Sequence, residues 1–247
     1  MKTICLWSGP RNVSTALMYS FAERPDTRIV DEPLYGHYLQ VTGANHPGRE
    51  EVLANVECDG DKAMQNLLTP SPGSPDILFL KQMAHHLISI DKGFLALVEN
   101  VFLIRDPQQM LPSLIIQVPD ATVADTGLKM QWELYDELIS SGQSPAVIDS
   151  RELLLDPASV LRQLCEHLNI PFLEAMLSWE AGPRSEDGVW ARHWYHAVHK
   201  STGFSPYRPK QGFPAHLKPL LADCAPWYEM LYEHAIRAQG IFEGDST

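Results

Sequence analysis

A chain of 247 residues with 45% hydrophobic content is long enough to bury a substantial core, and we read residues 1–247 as one domain. Thirty-one acidic against nineteen basic residues leave a net charge of −12, which argues against a protein that coats nucleic acid or an anionic membrane and makes any anion site a local one. Cys5, Cys58, Cys165 and Cys224 lie far apart with no Cys-x-x-Cys pair, and the sequence carries neither a signal peptide nor an 18-residue apolar stretch, so a cytoplasmic protein without zinc or disulfides is expected.

In chain order, the first element is a short apolar strand over residues 4–7, broken at Ser8-Gly9-Pro10 and followed by a helix over 15–23. A strand, a tight loop and a helix N-terminus form a natural anion site, because the first-turn amides lack partners and sit at the positive end of the helix dipole. Arg11 adds a fixed charge there, and Ser14 and Thr15 add hydroxyls. Further strands are predicted at residues 28–30, 77–80, 101–104 and 146–148, and further helices at 108–117, 124–140, 158–169 and 217–239. Asp106-Pro107 and Asp156-Pro157 each set an N-cap acid before a proline at the first helical position. The alternation predicts an α/β fold of three layers, a central parallel sheet flanked by helices. Residues 69–75 read as a loop of turn formers, and the polar, aromatic stretch 178–214 as a lid over the sheet edge or an acceptor-pocket segment. Within it His193, His196 and His199 recur every third residue, but no acid or cysteine completes a metal set, and Trp190, Trp194 and Tyr195 read as lid or acceptor-pocket packing.

The loop after the first strand is not that of the nucleotide triphosphatases. After Gly9 the chain reads Pro10-Arg11-Asn12-Val13-Ser14-Thr15, with no Gly-Lys ahead of the hydroxyls, so the usual lysine contact to the β and γ phosphates is missing. These residues resemble the 5′-phosphosulfate loop of the sulfotransferases, with Asn12 and Val13 where that family usually has Ser and Gly. Residues 101–115 are similar to the family's 3′-phosphate motif, in which an arginine closing a strand is followed eight residues later by a helical serine; Arg105 and Ser113 have that spacing. Residues 148–172 are similar to its acidic-Leu, Asp-Pro and amphipathic-helix segment, although Ser150 stands where an aromatic residue usually lies near the adenine. The combination of residues 7–18, 32–35, 81–87 and 201–204 resembles an uncharacterised sulfotransferase-like family of bacteria, found beside aminotransferase-like proteins in plants.

The resemblance implies a P-loop-type fold and a donor, 3′-phosphoadenosine 5′-phosphosulfate, bound by Gly9, Pro10, Arg11, Asn12, Val13, Ser14, Thr15, Arg105 and Ser113. It implies transfer of a sulfuryl group to a hydroxyl or amine of a small acceptor, with no metal required. Such a reaction needs a cation near the bridging oxygen and a base for the acceptor proton. Arg11 and Lys81, which closes the third strand, are candidates for the cation. Glu32, at the carboxyl edge after the second strand, is the first candidate for the base, followed by His85, His86 and the more distant His37. Residues 200–203 and 208–210 are candidates to close over the nucleotide. A phosphotransferase or nucleotide hydrolase on the same fold, and a nucleotide-binding protein without catalysis, stand beside this reading.

Overall fold

The computed structural model describes residues 1–240. Six strands form one parallel sheet: β1 (Lys2–Ser8), β2 (Thr27–Asp31), β3 (Ile77–Met83), β4 (Glu99–Ile104), β5 (Ala146–Asp149) and β6 (Ala235–Ile236), in the order β2-β3-β1-β4-β5-β6. The four central strands, β1, β3, β4 and β5, are almost wholly buried, as a parallel sheet covered on both faces requires, while the edge strand β2 is partly exposed. Because β1 lies between β3 and β4, successive connections diverge on either side of it. The crevice at its carboxyl end is where an open α/β sheet binds ligands.

Alternating residues of each strand feed the two faces. Ile4, Leu6, Phe79 and Ile148 pack against α1 (Ser14–Ala22) and α9 (Pro157–His167), while Cys5, Trp7, Leu80 and Phe102 pack against α4 (Gly60–Leu68), α7 (Leu128–Ser140) and α11 (Lys218–Tyr232). At the β2 edge, α2 (Tyr35–Thr42), α3 (Arg49–Asn55) and the short α10 (Ala191–Trp194) share a third cluster around Tyr35, Leu39 and Trp190. Helix α5 (Pro107–Leu114) lies under the start of α11, and α8 (Ser150–Leu155) follows β5 directly. Both Asp-Pro signals act as read: Asp106 accepts from the Gln108 amide and Asp156 from the Ser159 amide.

Two expected helices are cut. The segment 124–140 divides into α6 (Val123–Thr126) and α7 at Gly127, whose φ of 71° ends one helix and starts the next. The break lets the two loops touch: a Cβ on Gly9 would lie 2.4 Å from the Thr126 carbonyl oxygen, so backbone meets backbone there. The helix expected to reach residue 239 stops at Tyr232, and Ala235 and Ile236 pair instead with Val147 and Ile148 as β6. Long-range pairing on the open β5 edge overrides the local helical period, and Glu152 fixes the turn by accepting from Tyr232 Oη and the Ala238 amide. Among the described residues, no helix is long and apolar enough to cross a membrane.

Candidate functional site

The loop from Gly9 to Val13 bridges β1 and α1 at the switch point. Val13 gives α1 no side-chain cap, so its first-turn amides stay available, with Ser14 and Thr15 on that turn. The loop turns through Arg11, held in the left-handed region at φ 59°, a conformation in which a non-glycine residue must be braced by its neighbours. The bracing is specific. Asn12 donates through Nδ2 to the Leu103 carbonyl at 2.8 Å, and Arg105 donates through Nη1 to the Arg11 carbonyl at 2.5 Å. Gln131, fully buried on α7, donates to the Trp7 and Leu103 carbonyls at 3.0 Å each. Side-chain amides thus do the holding that glycine's backbone freedom would otherwise make unnecessary.

Three cations converge here. Arg105, at the end of β4, lies close enough to Arg11 that burial and that like charge depress its pKa. Lys210, whose amide is anchored to Gln109 Oε1 at 2.8 Å, is depressed by burial and by both arginines. Asp149 and Asp106 relieve Arg105 in part, but the three like charges still repel one another until an anion joins them. Ser113 lies two turns along α5 and donates its hydroxyl to the Met110 carbonyl, leaving its oxygen free to accept. Ser150 is turned inward, bonded to the Ile104 carbonyl at 2.8 Å. Tyr207 from the late loop faces Arg151 instead, with the guanidinium 5.9 Å from its ring centre.

A second cluster stands over β2 and β3. Parallel register sets Asp31 opposite Lys81. The Lys81 ammonium, 2% exposed, donates to Asp31 Oδ1 at 2.9 Å, to Tyr195 Oη at 2.8 Å and to Glu32 Oε1. Tyr195 donates in turn to the Asp31 carboxylate at 2.7 Å. Burial opposes the lysine's charge, but Asp31 and Glu32 outweigh it and lift its pKa well above the ordinary value. Burial lifts Glu32 as well, against the pull of Lys81 and with help from Asp31. Glu32 holds φ 40°, another left-handed non-glycine residue, and its amide continues the ladder to the Lys81 carbonyl.

The histidines after Lys81 form an aromatic stack. His86 lies face to face with Tyr35 and Tyr38, at 5.0 and 4.7 Å between ring centres, and His85 meets His86 edge-on at 4.6 Å. Burial keeps both neutral, bringing His85 down to about 4 and His86 well below its ordinary value. His86, not His85, approaches Glu32, with Nδ1 at 3.9 Å from Oε2. His37 is engaged elsewhere, between the Ile88 carbonyl and the Gly60 amide. His199 pairs with Asp187 at 2.9 Å.

With a strand, an uncapped helix N-terminus and converging cations established, comparison with known proteins is informative. The sulfotransferase domain family matches residues 1–235. The chain belongs to the sulfotransferase family. Among curated proteins, it is 41% identical over 236 residues to branched-chain-amino-acid aminotransferase-like protein 2 of Arabidopsis thaliana, covering 95% of this chain and 42% of that protein. It is 43% identical over 230 residues to the corresponding protein 1, covering 92% and 41%. The chain therefore spans less than half the length of these relatives. Solved sulfotransferases share the fold. The enzyme from Alicyclobacillus acidocaldarius superposes with a TM-score of 0.57 at 13% identity, covering 96% of this chain and 97% of that one. The sulfotransferase domain of the Synechococcus PCC 7002 olefin synthase gives 0.52 at 18% identity, covering 96% of each.

Of the residues expected from sequence, Gly9 to Thr15 and Arg105 gather at one point, and Glu32 and Lys81 at a second. Sequence reasoning did not reach Gln131, weighed Asp31 only as a weak magnesium-binding acid, and gave Tyr195 a packing role in the lid or acceptor pocket without its bonds to Lys81 and Asp31. The Asp31 signal was present, since adjacent acids follow one predicted strand and a lysine closes the next; in the structure β2 ends on Asp31, and β3 runs two residues beyond Lys81, to Met83. Tyr195 and Gln131 arrive from segments 114 and 124 residues away from the groups they hold, which no local pattern reveals.

Proposed function

We propose that this sulfotransferase takes 3′-phosphoadenosine 5′-phosphosulfate as donor and passes its sulfuryl group to a small acceptor. The observation that carries the reading is the convergence of Arg11, Arg105 and Lys210 on an uncapped helix N-terminus, beside a buried Lys81–Glu32 pair. An anion with two separated charged groups matches that arrangement. The loop amides with Ser14 and Thr15 would hold the 5′-phosphosulfate, and Arg105 with Ser113 and Lys210 the 3′-phosphate.

In the transfer, the acceptor attacks sulfur in line and the bond from sulfur to the bridging phosphate oxygen breaks. Arg11 and the α1 amides stabilise the charge that builds on that oxygen, in fixed positions that need no reorganisation. Lys81 keeps Glu32 oriented, and Glu32 takes the acceptor proton. Among the cluster's charged side chains Glu32 is the most accessible, at 12% against 1% for Asp31 and 2% for Lys81, so an incoming acceptor can touch it. The segment carrying Trp190 and Tyr195 closes this end of the pocket and sets its shape.

The test is thermal unfolding with adenosine 3′,5′-bisphosphate against ATP plus magnesium. Ligand at a hundred times its Kd adds about 2.7 kcal/mol to the native state. The bisphosphate is expected to raise Tm by several degrees and ATP with magnesium by less. A larger shift with ATP and magnesium would favour a phosphotransferase, and tight bisphosphate binding with no transfer to any acceptor would favour a binding protein.

A further inference from the structure

The carboxyl edge of the sheet is divided by charge. Over β1 and β4 stand Arg11, Arg105 and Lys210, whereas over β2 and β3 stand Asp31 and Glu32 with the single cation Lys81 between them. Tyr35 and Tyr195 face this second cluster uncharged, their pKa values raised by burial, and His86 is neutral. With both carboxylates ionised, the cluster holds one negative charge more than it balances.

The unused capacity is localised. Asp31 is fully engaged, with Oδ1 taking Lys81, Oδ2 taking the Gly188 amide, and the one Tyr195 hydroxyl hydrogen directed at the carboxylate, closer to Oδ2. Glu32 spends Oε1 on Lys81, while Oε2 accepts no hydrogen bond among the described residues. Facing Oε2 at 3.9 Å is His86 Nδ1, on a ring 1% exposed and itself without a partner. In the tautomer with the imidazole proton on Nε2, Nδ1 is an acceptor, and a group that serves both Nδ1 and Oε2 then needs at least two donor hydrogens; the cluster's uncompensated carboxylate calls for a positive charge on that group. A hydroxyl has one hydrogen and no charge. An ammonium has three and supplies the missing charge.

We propose that the acceptor is a primary amine, bound as its ammonium between Glu32 Oε2 and His86 Nδ1, and that the product is a sulfamate. This rests on the sulfuryl-transfer reading. The ammonium gives one proton to Glu32 and attacks as the neutral amine. A nitrogen–sulfur bond forms as the bond from sulfur to the bridging oxygen breaks, and that oxygen leaves as the 5′-phosphate of adenosine 3′,5′-bisphosphate. The second proton departs from the sulfamate nitrogen to solvent, so two protons are released per turnover and nothing is oxidised or reduced.

The test is calorimetric titration of the full chain, with and without saturating adenosine 3′,5′-bisphosphate, against a panel of primary amines and the alcohols of the same carbon skeletons. Amines are expected to bind at least tenfold more tightly than their alcohols. In Glu32→Gln the preference is expected to fall below threefold while bisphosphate affinity is retained. With sulfur-labelled donor, the label is expected in acid-labile sulfamates. The inference is overturned if the amine panel binds no better than the alcohols, a comparison that needs only the wild-type chain. Sulfation of alcohols or phenols with amines inert also overturns it and leaves the sulfotransferase reading standing. Failure of the bisphosphate to bind refutes the donor assignment, while the amine preference is still read from the titration without it.

Discussion

Replacing Lys81 with methionine keeps most of the side-chain volume and removes the one cation between two carboxylates. At the 2.9 Å separating Nζ from Asp31 Oδ1, the gross attraction at an effective dielectric of about 20 is about 6 kcal/mol. Desolvation offsets part of it, and removing one partner of a buried pair costs about 3–5 kcal/mol. For a chain of this length each kcal/mol moves Tm by about 2–4 °C, so a loss of about 6–20 °C is expected. The pH dependence separates this cause from a packing defect. Lys81 restrains the rise that burial imposes on Glu32, and without it the Glu32 pKa rises further. A carboxyl group with a raised folded pKa contributes stability that is full below its unfolded pKa and is lost as pH rises through the folded value. The variant's deficit should therefore be larger at alkaline pH and shrink as pH falls toward the ordinary carboxylate range, where Glu32 regains its proton. Scanning calorimetry of both proteins at four pH values measures it. A deficit that stays constant with pH would refute the electrostatic account, and one below 2 °C would show that Lys81 is not holding the cluster.

Three further outcomes follow from the same geometry. Arg105→Ala removes both the proposed 3′-phosphate contact and the brace on the Arg11 carbonyl, so adenosine 3′,5′-bisphosphate should bind about 10 to 150 fold more weakly, the equivalent of about 1.5–3 kcal/mol; adenosine 5′-phosphosulfate, which loses only the brace, should weaken by less in the same calorimetry, and equal losses would show that Arg105 does not read the 3′-phosphate. Gly9→Ala places a methyl 2.4 Å from the Thr126 oxygen and should cost about 1–3 kcal/mol with a loss of bisphosphate binding; an unchanged Tm would show that the two loops separate freely. Burial lifts the folded pKa of Asp149 to about 6, against the pull of the Glu152 and Arg151 amides, so its contribution is present below about pH 4 and lost as pH rises through 6; in Asp149→Asn, Tm relative to the wild type should rise between pH 4.5 and 7.5, and a flat difference would refute the assignment.

The sequence by itself determined the central strands, the tight loop between the first strand and its helix, and both Asp-Pro helix starts, because these depend on local patterns: runs of buried apolar residues, turn formers ahead of a helical period, a proline at the first helical turn; the bond from Arg105 to the Arg11 carbonyl, 94 residues apart, came only with the fold. The sequence also carried the family resemblance, which residues 1–235 bear out. What it did not contain were contacts made across long separations. The end of α11 and the birth of β6 were decided by the unpaired edge of β5, and the break at Gly127 by the need for backbone to approach Gly9. Tyr195 was read as lid or acceptor-pocket packing, but that its hydroxyl completes the shell of Lys81 and Asp31 appears only in the fold. His86 rather than His85 reaches Glu32 because the turn after β3 buries both rings but aims only one at the carboxylate. A side chain's chemistry is written in the chain, whereas the partner that fixes its charge is chosen by the packing of distant segments, and only the folded structure specifies that choice.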